Sequence, residues 1–507
     1  MDAPDFAARA GDPPNADAGS RTPAAGAPLP EPPNAAEIWG PGRRGLTIGL
    51  VLNVVASAFE ALAVATVLPT AVGQIGGLDL YGWAFSAFML TNLVGISVAG
   101  GVADERGPAL PLVAGTAAFV IGLAIAGVAP AMPILVAGRA VQGLGAGAIA
   151  AIGYAAVGRA YSPGARPRML ALLSTAWVVP GLIGPAIAGL VSDAVGWRWV
   201  FFGIVPMTVL GAALSVRPLA RLPRASADPL AGSAKGARQA GAGPTPAARN
   251  VASLALACGT GVLLLGLDRR SDATAALAAI AGIAIALPAT RTLLPPGTLV
   301  LRRGLPAAIA LMGTLGFSFF GAEAFLPLSL SDVRGQPAAV AGLPLTAGTL
   351  AWTLGAWLQA REASRRSRRV LIAAGLALLI AGIAGIALVL LPATPLLVAA
   401  IAWGLAGLGM GVAYSTAAVV ILESAPPERA GEASAALQLA ITLGIAIGTG
   451  VGGAVLAAFT GAGPATARSI GVVYALAIAA AAVGLLAALR LPARPARAHV
   501  TPAPSAP

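Results

Sequence analysis

Apolar windows of about twenty residues recur along this chain, separated by short polar, glycine- or arginine-bearing breaks. At about 1.5 Å of rise per residue, each is long enough to cross a bilayer as a helix. They fall at 46–69, 82–103, 109–129, 132–156, 168–192, 198–216, 251–267, 274–290, 305–330, 338–358, 370–391, 395–421, 433–459 and 469–489. The pattern predicts an all-α polytopic membrane protein of roughly fourteen transmembrane helices, the seventh and eighth being short.

The polar interruptions of these windows carry the candidate chemistry. Glu60 is the only charge between Leu46 and Pro69. An acidic side chain at a helix centre costs about 3 kcal/mol to insert, so such a residue faces a cavity or a partner and carries protons, ions or substrate. Arg139 interrupts the fourth window and must find a carboxylate, a carbonyl or water. It is either a clamp between helices or a neighbour of the proton site, where it and burial would act on Glu60 in opposite senses. Glu323, towards the outer end of the ninth window, is a second proton or cation-recognition site, or a group solvated at the external mouth. Trp83, Trp177, Trp352, Trp357, Trp403 and Tyr414 could cage a lipophilic cation or anchor at the interface. Asn53, Asn92, Gln142 and Gln438 could line the same cavity or bond between helices.

Hydrophobic residues make up 57% of the 507 and charged residues 10%, against roughly 25% charged in soluble proteins. The net charge of +12 raises the question of nucleic acid, but the arginines alternate with the loops. Arg43 and Arg44, Arg106, Arg159 to Arg168, Arg217 to Arg249, Arg302 and Arg303, and Arg361 to Arg369 share one side; Arg198, Arg269, Arg270, Arg334 and Arg468 share the other. The positive-inside rule puts both termini in the cytoplasm of a multi-pass inner (plasma) membrane protein, with no polyanion partner needed. The single histidine, His499, lies in a Pro/Ala-rich tail and the single cysteine, Cys258, in an apolar segment. Most enzyme chemistry and any internal disulfide are thereby excluded. No Gly-x-x-x-x-Gly-Lys-Ser/Thr run exists, and Gly448 to Gly453, which formally matches a dinucleotide fingerprint, sits in a membrane helix without a preceding strand. The expectation is no cofactor, and energy drawn from a proton gradient.

Slid so that residue 142 falls on residue 406, the chain matches itself: Gln142-Gly-Leu-Gly-Ala-Gly147 lies on Ala406-Gly-Leu-Gly-Met-Gly411, Gly184 on Gly448 and Gly189 on Gly453. Two six-helix bundles follow, 42–219 and 304–490, with two extra helices in 251–303, the plan of a rocking transporter with a midplane site. Residues 220–250 read as a flexible cytoplasmic linker or a lipid-headgroup patch, and 1–41 and 491–507 as cytoplasmic tails, the first disordered and without a signal peptide.

Several runs resemble motifs of the major facilitator superfamily, and within it the fourteen-helix drug:proton antiporters. Gly138-Arg-Ala-Val-Gln-Gly-Leu-Gly-Ala-Gly-Ala148 is similar to motif B in the fourth helix. Gly100-Gly-Val-Ala-Asp104-Glu-Arg106-Gly107 resembles the motif A loop, although Glu105 follows the aspartate and Pro108 and Ala109 occupy usually basic positions. Pro180-Gly-Leu-Ile-Gly184-Pro185-Ala-Ile-Ala-Gly189 resembles antiporter motif C, with Pro180 and Ala188 departing from common glycines. Trp197-Arg-Trp-Val-Phe201 resembles the opening of helix six, and Glu60 stands where the family's first helix usually has an aspartate.

The resemblance implies an alternating-access exporter, most simply monomeric, that exchanges protons for a hydrophobic toxic compound. It implies proton coupling at Glu60, Arg139 and Glu323, and gating by Gly100, Asp104, Arg106, Gly107, Gly184 and Pro185, with Asp104 otherwise a helix cap and the Gly-Pro bend otherwise ordinary packing. The substrate cavity would draw on Asn53, Asn92, Gln142, Trp177, Trp403, Tyr414 and Gln438. Rival readings are a dedicated exporter of a metabolite or lipid, a non-transporting receptor on the same fold, and a channel, the last disfavoured by the two-half repeat.

Overall fold

The computed structural model describes residues 35–222, 245–268, 273–425, 429–460 and 464–491. Fourteen of the described helices are long and apolar enough to cross a membrane. They are α1 (Arg44–Ile75), α2 (Leu78–Arg106), α3 (Ala109–Gly127), α4 (Met132–Ala160), α5 (Arg166–Val195), α6 (Arg198–Ala220), α7 (Ala247–Asp268), α8 (Ala273–Leu293), α9 (Leu305–Val333), α10 (Ala338–Glu362), α11 (Arg368–Leu388), α12 (Leu397–Ser424), α13 (Gly431–Phe459) and α14 (Ala467–Leu489). Each predicted window has its helix, usually longer by a few residues, because polar and arginine-bearing turns beyond the apolar stretch continue the backbone hydrogen bonding. All-helical spanning is what a bilayer demands, since no water there can satisfy a free N–H or C=O.

Two spans are not regular. In α5 the helix breaks after Thr175 and resumes at Val178, whereas the bend was expected at Gly184-Pro185. Pro185 lies inside the second, continuous piece. Pro180 explains the break: its ring displaces the carbonyl four residues earlier, that of Ala176, and it donates no hydrogen bond. In α9, π-helical turns at Gly316–Phe320 and Ser329–Val333 flank Glu323.

The internal repeat is a repeat of helix contacts. A Cβ on Gly143 or Gly147 of α4 would lie 2.1 Å from the carbonyl oxygen of Phe88 or Asn92 in α2. In the second half, a Cβ on Gly407 would lie 2.1 Å from the Gly348 oxygen, and one on Gly411 2.2 Å from the Trp352 oxygen, both in α10. These helices pack backbone to backbone, which only the missing side chain permits. Gly448 to Gly453 behaves likewise: a Cβ on Gly448 would press on the Phe317 carbonyl and one on Gly453 on Gly82.

The bundles α1–α6 and α9–α14 meet at the face poor in arginine. Tyr81 donates to the Ala324 carbonyl at 2.8 Å, Ser86 to the Ala446 carbonyl at 2.9 Å, and the Ala339 amide to Asp193 at 3.2 Å. Cβ atoms on Gly181 and Gly189 would collide with Thr349 and Ala339, and one on Gly342 with Thr66 and Pro185. Along the arginine-rich half, a Cβ on Gly100, Gly153, Gly158 or Gly431 would meet nothing within 4 Å.

The extra pair α7 and α8 flanks the seam between α2 and α13. Ser97 donates to Asn250 at 2.8 Å, Trp83 donates to Asp268 at 3.4 Å, and Leu256 packs with Leu93, Leu439 and Leu443. The expected external loop at 268–272 lies almost wholly outside the described residues, as do most of the 220–250 linker and both tails. Where the first tail was expected to be disordered, residues Ala35–Trp39 form a short helix docked on the loop after α4. Glu37 accepts from the Ser162 amide at 3.0 Å and hydroxyl at 2.6 Å and pairs with Arg43, while Thr47 donates to the Ile38 carbonyl at 2.8 Å. The Ser162 bonds, with Arg43 behind them, hold the Glu37 carboxyl below its ordinary value.

Candidate functional site

Glu60 and Arg139 form an ion pair inside the first bundle, 1% and 2% exposed. The guanidinium also donates to Gln142 at 2.7 Å and to the Ala84 carbonyl at 3.0 Å, and its carbon lies 4.2 Å from the Phe88 ring centroid. Arg139 and Gln142 are three residues apart and so share one face of α4. The arrangement ties α1, α2 and α4 together through one cation whose donors have acceptors from all three. Arg139 is thus a clamp between helices and the ion-pair partner of the intramembrane carboxylate. Gln142, expected in the cavity, is a buried member of this cluster, with its amide nitrogen unpartnered.

Glu323 is set differently. No ion pair joins it among the described residues, and it is half-buried where Glu60 is sealed. On its outer side Tyr81 and Phe325, both fully buried, pack with ring centroids 5.4 Å apart, and Tyr81 bonds the carbonyl of Ala324. Tyr81 and Phe325 thus cover Glu323 on the arginine-poor side. Trp403 neighbours it, and its indole N–H completes no hydrogen bond among the described residues. Trp403 stacks on Phe319 at 4.9 Å, Phe319 meets Trp352 edge-on at 5.4 Å, and Trp352 contacts Tyr414 at 5.6 Å. Trp403 and Tyr414 thus belong to one aromatic wall, as the sequence suggested, but Phe319 and Phe320 were missed. Their spacing, four and three residues before Glu323, was the available signal.

At the arginine-rich face Asp104 pairs with Arg159 of α4 at 2.7 Å, and Arg159 also donates to the Ala103 carbonyl. The basic partner that the motif A loop lacks is supplied by the neighbouring helix. Arg106 is exposed, and Gly100 is half-buried. Gly107 ends α2 with φ of 87°, a conformation that strains any residue with a Cβ. Gly184 packs beside Phe59, the neighbour of Glu60, and Pro185 lies against Gly342 of the other bundle. The motif C face is thus the inter-bundle contact.

Four of the expected cavity residues lie away from both charged centres. Asn53 is 5% exposed and wedged against Gly211 of α6, with neither amide atom partnered, because the first helix turns this face towards its neighbour. Trp177 is 47% exposed at the break in α5 and belongs to neither charged centre. Asn92 is half-buried and Gln438 exposed, and among the described residues neither hydrogen-bonds Glu60, Arg139 or Glu323.

Comparison with known proteins agrees with this architecture. The profile of the Major Facilitator Superfamily matches residues 47–449. A probable multidrug-efflux transporter of Mycobacterium tuberculosis is 28% identical over 457 residues, covering 87% of this chain and 93% of that protein. Multidrug resistance protein 3 of Bacillus subtilis is 28% identical over 172 residues, 34% of each chain, so the match spans only about a third of that relative. Among solved structures, a bacterial homolog of the human lysosomal transporter Spinster, inward-facing and unoccupied, superposes with a TM-score of 0.58 at 17% identity, covering 89% of this chain and 98% of that one. An auto-inhibited POT family peptide transporter gives 0.60 at 16%, covering 90% and 98%.

Proposed function

Since the chain belongs to the Major Facilitator Superfamily, whose fold is that of transporters rather than enzymes, we propose that it is a proton-coupled exporter of hydrophobic small molecules. It works in the plasma membrane as a monomer, with both termini in the cytoplasm and no cofactor beyond the proton gradient. The observation that carries the reading is the Glu60–Arg139 pair. A carboxylate 1% exposed within a membrane bundle is retained at a cost of several kcal/mol, and releasing its arginine to take a proton gives a two-state element. Export of toxic compounds draws support from the relatives named for multidrug efflux.

On this reading the arginine-poor face, where the bundles meet, is the closed one, and substrate is taken from the cytoplasmic side. Substrate enters there, the bundles rock about the contacts of α5 with α10 and α2 with α13, and the Asp104–Arg159 pair lies at the mouth that must then close. Proton entry at the carboxylates resets the cycle.

Glu60→Gln tests the coupling. The variant keeps the shape, and its carbonyl can still accept from Arg139, so it should insert and fold. In proteoliposomes with an imposed pH gradient, uphill export should vanish while downhill equilibration continues. Gradient-driven accumulation at the wild-type rate would remove Glu60 from the coupling role. Gene deletion, screened against many toxic compounds at two external pH values, separates broad efflux from a dedicated metabolite exporter.

A further inference from the structure

Stretches far apart in sequence meet at one corner of the arginine-rich face: the turn 297–304 before α9, the first turn of α11 and the end of α14. The Gly304 amide donates to the Arg490 carbonyl at 3.3 Å, and the Arg369 guanidinium donates to the Leu491 carbonyl. Arg302, Arg303, Arg369 and Arg490 are thereby gathered, and none of them has an ion pair among the described residues. Elsewhere on that face Arg43 has Glu37, Arg159 has Asp104, and Arg365 and Arg366 have Glu362. Glu423, the carboxylate that reaches α11, is taken by Arg368. The same corner exposes large apolar side chains. Leu299 is 55% and Val300 75% exposed in the turn, and Leu489 is 65% exposed beside Arg490. The Arg302 amide closes the turn by donating to the Gly297 carbonyl at 3.0 Å. Leu301, between the exposed pair and the arginines, takes φ of 53°, the one non-glycine among the described residues with a positive φ, a conformation unfavourable for a residue with a Cβ. A strained, closed turn thus holds Leu299 and Val300 uncovered and leads directly into Arg302 and Arg303.

We propose that this corner binds an anionic phospholipid, with its phosphate headgroup at Arg302, Arg303, Arg369 and Arg490 and its acyl chains against Leu299, Val300 and Leu489. Guanidinium forks match phosphate oxygens in geometry and charge. Three membrane helices begin or end here, at the level where headgroups give way to hydrocarbon, so exposed leucine and valine are covered by acyl chains rather than water. The two halves of the site together select the ligand. Free phosphate would satisfy the arginines and leave the apolar side chains bare. A zwitterionic lipid would cover the apolar side chains but carries its own cation, leaving the arginine charges unbalanced. A lipid with net negative charge answers both. Bound there, it spans the cytoplasmic ends of α9, α11 and α14 and so braces the second bundle from outside. The site lies apart from both intramembrane carboxylates and does not depend on the transport reading.

The test places a bimane fluorophore on Leu489→Cys in the Cys258→Ala background of the purified full chain in detergent micelles. The quenchers are phosphatidylglycerol and phosphatidylcholine carrying the same brominated acyl chains. Phosphatidylglycerol should reach half-quenching at a concentration about tenfold or more below that of phosphatidylcholine, as expected for several arginines at one headgroup. A reporter on Val128→Cys, 63% exposed on the arginine-poor face, should show the two lipids within about twofold. Arg302→Gln, Arg303→Gln and Arg490→Gln together keep the side-chain stems and should bring the preference at Leu489 below about threefold, with quenching by phosphatidylcholine unchanged as the sign of a folded protein. Salt at about 0.5 M should lower the preference several-fold without any arginine variant, because it screens the charges. Equal quenching by both lipids at Leu489, or the same preference at Val128, overturns the site. So does full preference surviving the arginine substitutions or the salt. Loss of the preference on adding inorganic phosphate at constant ionic strength would assign the arginines to a free anion instead. Quenching by neither lipid would mean that protein covers this corner, which also refutes the proposal.

Discussion

Replacing Arg139 by methionine isolates what the buried pair contributes. Methionine keeps much of the side chain's length and bulk, so packing against Phe88 is largely preserved. What disappears is the cation and its donors to Glu60, Gln142 and the Ala84 carbonyl. Glu60, 1% exposed, is then a charge with no partner, and breaking a buried pair from one side costs about 3–5 kcal/mol. Glu60→Gln is milder. The guanidinium loses its counter-charge but keeps acceptors in the glutamine carbonyl, Gln142 and Ala84, and the Phe88 face, so the loss is smaller, about 1–2 kcal/mol. The double variant Glu60→Gln/Arg139→Met holds no charge at all and should be more stable than Arg139→Met alone by about 2 kcal/mol, a coupling expected only of direct partners. The assay is the apparent thermal midpoint of detergent-solubilised protein. The order should run wild type, Glu60→Gln, double variant, Arg139→Met, with the extremes separated by roughly 5–10 °C at about 2 °C per kcal/mol. Additive midpoint losses, or Arg139→Met as stable as Glu60→Gln, would refute the claim that this pair is what neutralises the buried carboxylate.

Other outcomes follow from the seal, the docked N-terminal helix and the topology. Gly189→Val should open the arginine-poor face, because its Cβ would lie 2.4 Å from the Ala339 Cα; a cysteine at Ala338, buried here, should label several-fold faster in that background with Cys258→Ala, and unchanged labelling would mean that the seal lies elsewhere. Glu37, held below its ordinary value of 4.5 by Ser162 and Arg43, contributes to docking above that value, and the contribution is lost as pH falls through the lowered one. Hydrogen exchange of residues 35–43, corrected for intrinsic rate, should therefore be slower than in Glu37→Gln at pH 7 and converge with it once the pH falls below that lowered value; convergence already at neutral pH would dismiss the contact. A cysteine at Ser271 in the Cys258→Ala background should react with an impermeant thiol reagent from outside the cell, and labelling from the cytoplasm alone would reverse the orientation.

The sequence by itself determined the membrane class, the fourteen spans, the two-half repeat and the presence of lone intramembrane charges. Each depends on local quantities: the length of an apolar run, the spacing of glycines, the cost of a charge in hydrocarbon. It also selected Arg139 as needing a partner, since a guanidinium cannot shed its charge. Which partner was a question of rotation about helix axes, and a run of apolar residues with small ones on every side does not fix that rotation. Only packing decided that Arg139 reaches Glu60 while Asn53 turns to α6, and that Asp104 finds Arg159 fifty-five residues away. The break in α5 depended on which of two prolines the neighbouring helices could accommodate inside a continuous turn. That Glu323 is covered by Tyr81 and Phe325 on the arginine-poor side follows from the meeting of the two bundles at Tyr81 and Ala324. This contact joins residues 243 apart in sequence, so no local pattern encodes it.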